Sequence, residues 1–296
     1  MNIVLGGTGL IGGAIVQALM SRGRSAGILS RTKPKEVNQQ SNCIYFQGRP
    51  GDRDFKCALA GANNLFISTF MYQSENTFDL EKYFERFAFD LCGVYLDNIV
   101  LISSASVYVD GVEEGPVSEL YPTAPNTGYG QFKLKEEQMI IDFLGKHAEQ
   151  IFLIRPSSVF GMRHDNVFSR GLVGSLARAA IQSEIFVVDT SEEVIRDYIR
   201  ADYLAEAILN LMDKSPGGTF NIGGDPVSLA ELLTLSVNIF GDRLRIRKEL
   251  KHPSKRSRFV LSSEKALWLL GSIQPVPSFN IIEDYFKQCV SVDGSV

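Results

Sequence analysis

The sequence predicts an α/β fold built on a doubly wound parallel sheet, with a smaller substrate-binding lobe towards the C-terminus. Short apolar runs recur through the first half of the chain, beginning with Ile3–Leu5, and stretches with helical periodicity separate them. Continuous apolar strands are typical of a parallel sheet that helices cover on both faces. A glycine-rich turn directly follows the first run, as expected where a strand leads into a helix.

Strands and helices are predicted to alternate along the chain, which is the pattern of βαβ units. The predicted strands are Ile3–Leu5, Ser25–Ser30, Cys43–Phe46, Asn64–Ser68, Asn98–Ser103, Ile151–Arg155 and Phe220–Ile222. The predicted helices are Ile11–Met20, Leu80–Tyr95, Tyr129–His147, Phe168–Ser183, Ala201–Met212 and Leu229–Phe240. The pattern loosens after Pro156, and Pro275 and Pro277 interrupt the tail. We therefore expect a nucleotide-binding domain over 1–158 and a lobe over 159–296, with segments near 190–225 returning to the first domain.

Composition excludes several classes of protein. The chain has 296 residues and a net charge of −4 without a long basic run, which disfavours nucleic-acid binding. No apolar run reaches the ~18 residues of a membrane span, so no membrane partner is expected. The four cysteines and three histidines show no metal-ligand spacing, and we predict no metal site. A strand begins at once without a preceding signal segment, so we expect a cytoplasmic protein.

The glycine-rich turn predicts a dinucleotide site of the Rossmann type. Glycines at 7, 9 and 12 form Gly-x-Gly-x-x-Gly, and those at 6, 9 and 12 form Gly-x-x-Gly-x-x-Gly. Glycines allow a tight turn and close approach to a pyrophosphate, and the following helix N-terminus favours phosphate. The predicted cofactor-binding residues of this turn are Gly6, Gly7, Thr8, Gly9, Leu10, Ile11 and Gly12.

The end of the second strand favours NADP(H), with NAD(H) as the alternative. An acidic residue there would bind a ribose hydroxyl, whereas an arginine accommodates a 2′-phosphate. The chain has Ser30 and Arg31 at this point and no carboxylate, although a solvated basic loop would look the same. Asp52, after the third strand, either faces the adenine or belongs to an ordinary turn.

Ser104, Tyr129 and Lys133 are the candidate catalytic residues. Tyr129 and Lys133 are also predicted to bind the cofactor, with Lys133 at the nicotinamide ribose. Tyr129 and Lys133 are four residues apart at a predicted helix start, so their side chains share one face. A phenol with a pKa of about 10 is a poor base at neutral pH, but a nearby ammonium favours its ionised form. Such a phenol can exchange a proton with an alcohol or carbonyl oxygen. Ser104 lies where a strand ends, at the sheet edge that binds ligands.

These motifs, in this order, resemble the extended short-chain dehydrogenases/reductases, a family that includes nucleotide-sugar epimerases, dehydratases and ketoreductases. The resemblance covers residues 1 to about 225. Its further motifs are Ser103–Tyr108 (SSASVY), Arg155–Gly161 (RPSSVFG), Ile195–Ala205 (IRDYIRADYLA) and Phe220–Gly223 (FNIG).

The resemblance implies roles for several residues. Ser104 matches the catalytic Ser or Thr, Ser103 and Ser106 are neighbours that can touch substrate, and Arg196 matches an arginine that contacts the substrate diphosphate. Alternatively, Arg196 forms an ion pair with Asp197 or Asp202 and does not contact substrate. Ser68 stands in the segment after the fourth strand that contacts the cofactor, although His-Leu-Ala-Ala is replaced there by Ile67–Phe70. Phe132 and Met162 also depart from the family's usual Ser and Pro.

The expected reaction is NADPH-dependent reduction of a keto group on a nucleotide-linked deoxysugar, with Tyr129 as proton donor and Ser104 polarising the carbonyl. A C4 epimerase that recycles a bound cofactor is the alternative, and a non-catalytic NADP-binding sensor is a third hypothesis. Dehydration is disfavoured because Ala105 and Ser106 replace the family's Asp-Glu pair. The substrate is expected to be a nucleotide sugar or another small carbonyl or alcohol compound. The resemblance also implies a homodimer formed through the helices at 80–95 and 129–147.

Overall fold

The computed structural model describes residues 1–31, 42–69, 79–108, 115–162, 168–169, 171–249, 258–271 and 278–293. Seven strands of this described part form one parallel sheet in the order β3-β2-β1-β4-β5-β6-β10. The strands are β1 (Asn2–Leu5), β2 (Ala26–Ser30), β3 (Cys43–Gln47), β4 (Asn64–Ile67), β5 (Leu96–Ile102), β6 (Ala148–Pro156) and β10 (Gly218–Ile222). The order reverses between β1 and β4, as in a doubly wound sheet, so the predicted fold class is confirmed.

Helices cover both faces of the sheet. One face packs against α1 (Leu10–Ser21), α6 (Ala201–Lys214) and α8 (Glu264–Leu270), and the other packs against α2 (Arg53–Ala60), α3 (Leu80–Asp90) and α4 (Gly128–Met139). The strand residues alternate between these two cores. In β1, for example, Val4 joins the first core and Ile3 joins the second, and both are fully buried.

A third core lies in the C-terminal part of the chain. It contains α5 (Leu172–Ile181), α7 (Leu229–Phe240) and α9 (Ser278–Asp293). Two small sheets accompany these helices. Their strands are β7 (Ser158–Phe160), β9 (Ile195–Arg200), β11 (Pro226–Ser228) and β13 (Arg258–Phe259) in one sheet, and β8 (Ile185–Val188) and β12 (Arg245–Lys248) in the other. Among the described residues, no helix is both long enough and apolar enough to span a bilayer.

Several predicted element boundaries were wrong, each for a local reason. The helix predicted over 80–95 ends at Asp90, and Gly93 in the following turn has a φ of 80°. The helix predicted over 129–147 is α-helical only to Met139, after which Ile140–Leu144 form a π turn and Gly145–His147 a 3₁₀ turn. The helix predicted from Phe168 begins at Leu172, because Gly171 at its N-cap has a φ of 92°.

Helices α2, α8 and α9 were not predicted from the sequence. Prolines at 275 and 277 pointed to a broken tail, but α9 begins directly after them. Its buried residues Ile281, Ile282, Tyr285, Phe286 and Cys289 recur at helical spacing on the face that meets α5 and α7.

Candidate active site

The glycine-rich turn forms a close-packed cradle at the carboxyl end of β1. Gly6 has a φ of 85°, and a Cβ on it would lie 2.5 Å from the carbonyl oxygen of Ser68. A Cβ on Gly12 would lie 2.3 Å from the carbonyl oxygen of Gly6. Neither position tolerates a side chain without movement of backbone, so the two glycines are required by the shape of the turn.

The start of α1 offers backbone N–H groups to a phosphate. Gly9 is its N-cap and makes no side-chain capping hydrogen bond, and the first turn contains no acidic residue. Thr8, Leu10 and Ile11 around it are half-buried, whereas Gly7 is buried against Val4 and Ile28. A helix N-terminus without a side-chain cap and without a nearby carboxylate fits a dinucleotide pyrophosphate, so the residues present fit this class of cofactor.

The edge formed by β2 and β3 carries two arginines. Ser30 is buried, and its hydroxyl lies 2.5 Å from the Tyr45 hydroxyl. Arg31 and Arg49 are exposed, and the positive charges of both lower the pKa of Tyr83, although burial raises it more strongly. Both guanidinium groups therefore act on the same region beside α3. Arg49 had no place in the sequence prediction, and its position just after β3 was the available signal.

Asp52 and Ser68 lie at the same edge of the sheet. One Asp52 carboxylate oxygen accepts a hydrogen bond from the backbone N–H of Arg49 at 2.8 Å, which holds the turn before α2. Asp52 also lines an open cleft of about 460 Å³ with Pro50, Glu85 and Phe89 among its other walls. Ser68 is half-buried, and its backbone N–H donates to Leu5 at 2.9 Å.

Ser104 and Ser106 share a 3₁₀ turn at the carboxyl end of β5. The Ser104 hydroxyl accepts a hydrogen bond from the backbone N–H of Ser106 at 3.1 Å, and both residues are half-buried. The neighbouring Ser103 is buried, and its hydroxyl donates to Glu137 at 2.5 Å. The Ser103 hydroxyl therefore donates its proton to a buried carboxylate. The Ser104 hydroxyl only accepts a hydrogen bond, so its own proton can be donated to another group.

Gly130 brings the start of α4 against this turn. A Cβ at Gly130 would lie 2.2 Å from the carbonyl oxygen of Ser106, so only glycine permits this approach. The Thr127 side chain caps α4 by accepting from the N–H of Gly130 at 3.1 Å. Tyr129, between these two residues, is half-buried and therefore sits beside the turn that carries Ser104.

Lys133 lies one helical turn below Tyr129 and is almost completely buried, with 4% exposure. Its ammonium donates to the Ile102 carbonyl oxygen at 3.0 Å and to Glu136 Oε2 at 2.7 Å. Burial by itself lowers the pKa of Lys133, but the charge of Glu136 and electrostatic interaction with Tyr129 raise it overall. The structure therefore groups Ser104, Tyr129 and Lys133 at the end of β5.

A buried polar network supports this group from below. The Arg155 guanidinium donates to both oxygens of Glu137 at 2.9 and 2.6 Å and to the Tyr108 hydroxyl at 3.1 Å. That hydroxyl donates to Asn221 at 2.6 Å, which joins β10 to the network. The sequence motifs contained Tyr108, Arg155 and Asn221 but not Glu137, and only the structure assigns contacts to all four residues. Their signal was the occurrence of polar residues within otherwise apolar elements.

Arg196 lies on β9, in the small sheet rather than on the main one. It is half-buried, which lowers its pKa, and its guanidinium donates to the Ile195 carbonyl oxygen at 2.7 Å. Asp202 pairs with Arg200 at 2.7 Å instead. Burial raises the pKa of Asp197 to about 7, and its carboxylate accepts from the N–H of Leu261 at 3.2 Å.

Comparison with known proteins agrees with the motifs. Residues 81–223 match the model described as the NAD dependent epimerase/dehydratase family. A UDP-glucose 4-epimerase of Halalkalibacterium halodurans is 22% identical over 96% of this chain and 93% of its own length. A 4-hydroxy-2-methyl-3-oxo-4-farnesyl-3,4-dihydroquinoline-1-oxide ketoreductase of Stigmatella aurantiaca is 25% identical over 90% of this chain and 80% of its own.

Solved structures share the fold along nearly the whole chain. UDP-glucuronic acid 4-epimerase from Bacillus cereus, in complex with UDP-glucuronic acid and NAD, superposes with a TM-score of 0.81 at 18% identity and covers 99% of each chain. UDP-glucose 4-epimerase from Thermotoga maritima, with UDP-glucose, has a TM-score of 0.77 at 20% identity and covers 98% of each chain. At these identities the likeness establishes the fold.

Proposed function

We infer that the chain belongs to the NAD dependent epimerase/dehydratase family, whose model matches residues 81–223, and we propose that it is an NAD(P)-dependent enzyme that acts at the C4 carbon of a nucleotide-linked sugar. The observation that carries the proposal is the contact of α4 with the turn after β5. Gly130 permits that contact, and it puts Tyr129 and Lys133 beside Ser104 at the ligand-binding edge of the sheet.

Each residue of this group has a defined task in the proposed reaction. Tyr129 takes a proton from the sugar hydroxyl during oxidation and returns one to the carbonyl oxygen during reduction. Ser104 donates a hydrogen bond to that oxygen and favours the charge that develops on it. The positive charge of the Lys133 ammonium stabilises the negative charge that develops on the Tyr129 oxygen as the proton moves.

The glycine-rich turn would hold the cofactor pyrophosphate. Ser68 and Lys133, further along the same edge of the sheet, would contact other parts of the cofactor. The bound nicotinamide supplies or accepts the hydride at the sugar carbon. Asp52 is proposed to face the adenine, since it lines the cleft outside β3. Arg196 is proposed to contact the substrate diphosphate, and Ser106 the sugar.

Epimerisation at C4 is the first candidate. UDP-glucose 4-epimerases from several bacteria are relatives of this chain along most of its length, which supports this choice over the reductase favoured by the sequence alone. In an epimerase the hydride removed from C4 returns to the opposite face, so no net oxidation of cofactor occurs.

Reduction of a keto group by NADPH is the second candidate. Two observations favour it: the similarity to the Stigmatella aurantiaca ketoreductase, and the paired arginines Arg31 and Arg49 at the edge where a 2′-phosphate would bind. Tyr129 would then donate a proton, Ser104 would polarise the carbonyl, and each turnover would consume one NADPH.

We also propose the domain division given by the sequence, with cofactor bound by residues 1–158 and substrate by 159–296. The described chain shows β10 returning to the main sheet beside β6, and α6 packing on α1. A homodimer through the α3 and α4 helices is proposed as well. Phe89, Tyr95 and Ile141 in or next to these helices are exposed apolar side chains.

The test is product analysis with UDP-glucose and UDP-glucuronic acid, each with NAD⁺ or NADP⁺, and with nucleotide 4-keto-6-deoxyhexoses, each with NADH or NADPH. Formation of an isomer without net change in reduced-cofactor absorbance is the expected result for an epimerase. Stoichiometric NADPH oxidation would select the reductase instead. If no panel member changes with either cofactor while NADH and NADPH both bind, the substrate class proposed here is wrong.

A further inference from the structure

The Lys133–Glu136 pair is a buried ion pair inside the proposed catalytic group. The two side chains are 5% and 0% exposed, and Lys133 Nζ lies 2.7 Å from Glu136 Oε2. The residues are three apart on α4, which places both on one face of the helix. The carboxylate therefore lies directly against the ammonium that the proposed mechanism requires.

The contacts of Lys133 fix the direction of its remaining donor. An ammonium group has three N–H donors. The Ile102 carbonyl oxygen and Glu136 Oε2 accept two of them at 3.0 and 2.7 Å. One donor remains for Tyr129 or a cofactor ribose. Without Glu136 the flexible lysine stem would lose one of the two contacts that hold it in this orientation.

Glu136 itself is held by little except Lys133. Its second oxygen, Oε1, is buried and has no hydrogen-bond partner in the part of the chain that the structure describes. Burial raises the pKa of Glu136, Lys133 opposes that rise, and the negative charge of Glu137 adds to it. The negative charge of Glu136 also raises the pKa of Tyr83 on α3.

A role in packing alone does not explain this arrangement well. Removing two charges from water costs so much that apolar residues of similar volume often stabilise a protein as well or better. An unsatisfied buried oxygen adds to that cost. The neighbouring Glu137 differs, since both of its oxygens are bonded to Arg155 and it joins three elements of the core.

We propose that Glu136 is a positioning residue of the reaction, which holds the Lys133 ammonium so that its free donor points towards Tyr129 and the cofactor ribose. The inference rests on the proposed function, because it assumes that Lys133 serves catalysis. It adds a residue to the reacting group that acts only through Lys133.

The experiment compares four purified variants with the wild type: Glu136→Gln, Glu136→Leu, Glu136→Asp and, as the matched control, Glu137→Gln. Glu137→Gln also removes a buried carboxylate from α4 but leaves both hydrogen bonds of Lys133 in place. For each protein we would measure the Kd of NADH and NADPH by fluorescence, the thermal unfolding midpoint, and kcat and KM with the substrate found in product analysis.

The expected result is a graded loss that follows the contact with Lys133. Glu136→Leu should weaken the tighter-binding cofactor by about tenfold and lower kcat by at least as much, since a charge-assisted hydrogen bond is lost. Glu136→Gln keeps an acceptor and should lie between Leu and wild type, and Glu136→Asp should recover part of kcat relative to Leu. Glu137→Gln should lower the unfolding midpoint at least as much as Glu136→Gln but reduce cofactor binding and kcat less, because Lys133 keeps both of its hydrogen bonds.

Two results would overturn the inference. One is wild-type cofactor Kd and kcat in folded Glu136→Leu or Glu136→Gln. The other is a loss in the Glu136 variants that merely tracks the unfolding midpoint, with Glu137→Gln falling on the same line. If Glu136→Leu does not fold, Glu136→Gln alone decides, because it preserves volume and an acceptor. Lys133→Met separates the two hypotheses, because full activity in that variant would refute the proposed function itself.

Discussion

Replacing Glu137 with alanine should destabilise the protein strongly, although the Glu137 side chain does not itself contact the proposed catalytic side chains. Glu137 accepts hydrogen bonds from Arg155 at 2.6 and 2.9 Å and from Ser103 at 2.5 Å. The Glu137 and Arg155 side chains are only 5% and 8% exposed, so the guanidinium left behind would remain buried without its partner. Removing one member of a buried ion pair costs about 3–5 kcal/mol.

The assay is urea unfolding followed by circular dichroism, with the thermal midpoint as a second measure. At about 2–4 °C per kcal/mol, the midpoint should fall by roughly 10 °C. Asp213→Ala is the control, because Asp213 forms an ion pair with Arg24 in which both side chains are more than a third exposed. Such exposed pairs contribute about 1 kcal/mol or less.

The double variant Glu137→Leu/Arg155→Met separates the loss of the pair from the cost of the unpaired charge. It should recover much of the stability that Glu137→Ala loses, because both charges leave the interior together. If Glu137→Ala loses no more stability than Asp213→Ala, the buried network does not support the site as argued.

Three further predictions concern the cofactor site and the pH dependence of stability. Gly12→Ala should weaken NADH and NADPH binding by at least about tenfold, since its Cβ would lie 2.3 Å from the Gly6 carbonyl oxygen; fluorescence titration measures this, and unchanged binding would refute the cradle. Arg31→Ala should weaken NADPH more than NADH if it meets a 2′-phosphate, and equal losses in paired titrations would count against NADP preference. Burial raises the pKa of Asp197 to about 7 from 3.8, so the folded state favours its protonated form, and the stability this gives is present below about pH 4 and lost as the pH rises through 7. Relative to Asp197→Asn, the wild type should therefore lose up to roughly 4 kcal/mol of unfolding free energy between pH 4 and 8, and parallel urea-unfolding curves across this range would contradict it.

Local sequence patterns were sufficient to predict the sheet and to place Tyr129 and Lys133 on one face of a helix. The apolar runs that became β1, β4, β5 and β6 are buried on both faces, so their composition alone identified them. The family resemblance drawn from the motifs is confirmed by the match over residues 81–223. Tyr129 and Lys133 could be placed on one helical face because their spacing is fixed by the α-helix itself.

Other features depend on contacts that spacing does not reveal. The π turn at Ile140–Leu144 interrupts a segment whose composition is ordinary for a helix. The burial of Glu136 was not predictable, since adjacent glutamates on a helix are usually solvated. Helix α9 was not predicted because Pro275 and Pro277 disfavour regular structure in the tail, although Pro commonly precedes a helix and the apolar spacing after Pro277 is helical.

The most direct test of the proposed reaction is the rate of substrate conversion by Tyr129→Phe, measured at saturating cofactor on protein shown by fluorescence titration to bind NADH or NADPH as the wild type does. The variant keeps the ring and removes only the hydroxyl. We predict that kcat falls by at least about a hundredfold, because proton transfer by a positioned group contributes about 10²–10⁴ in rate. A kcat within a few fold of wild type, with the same product, would contradict it.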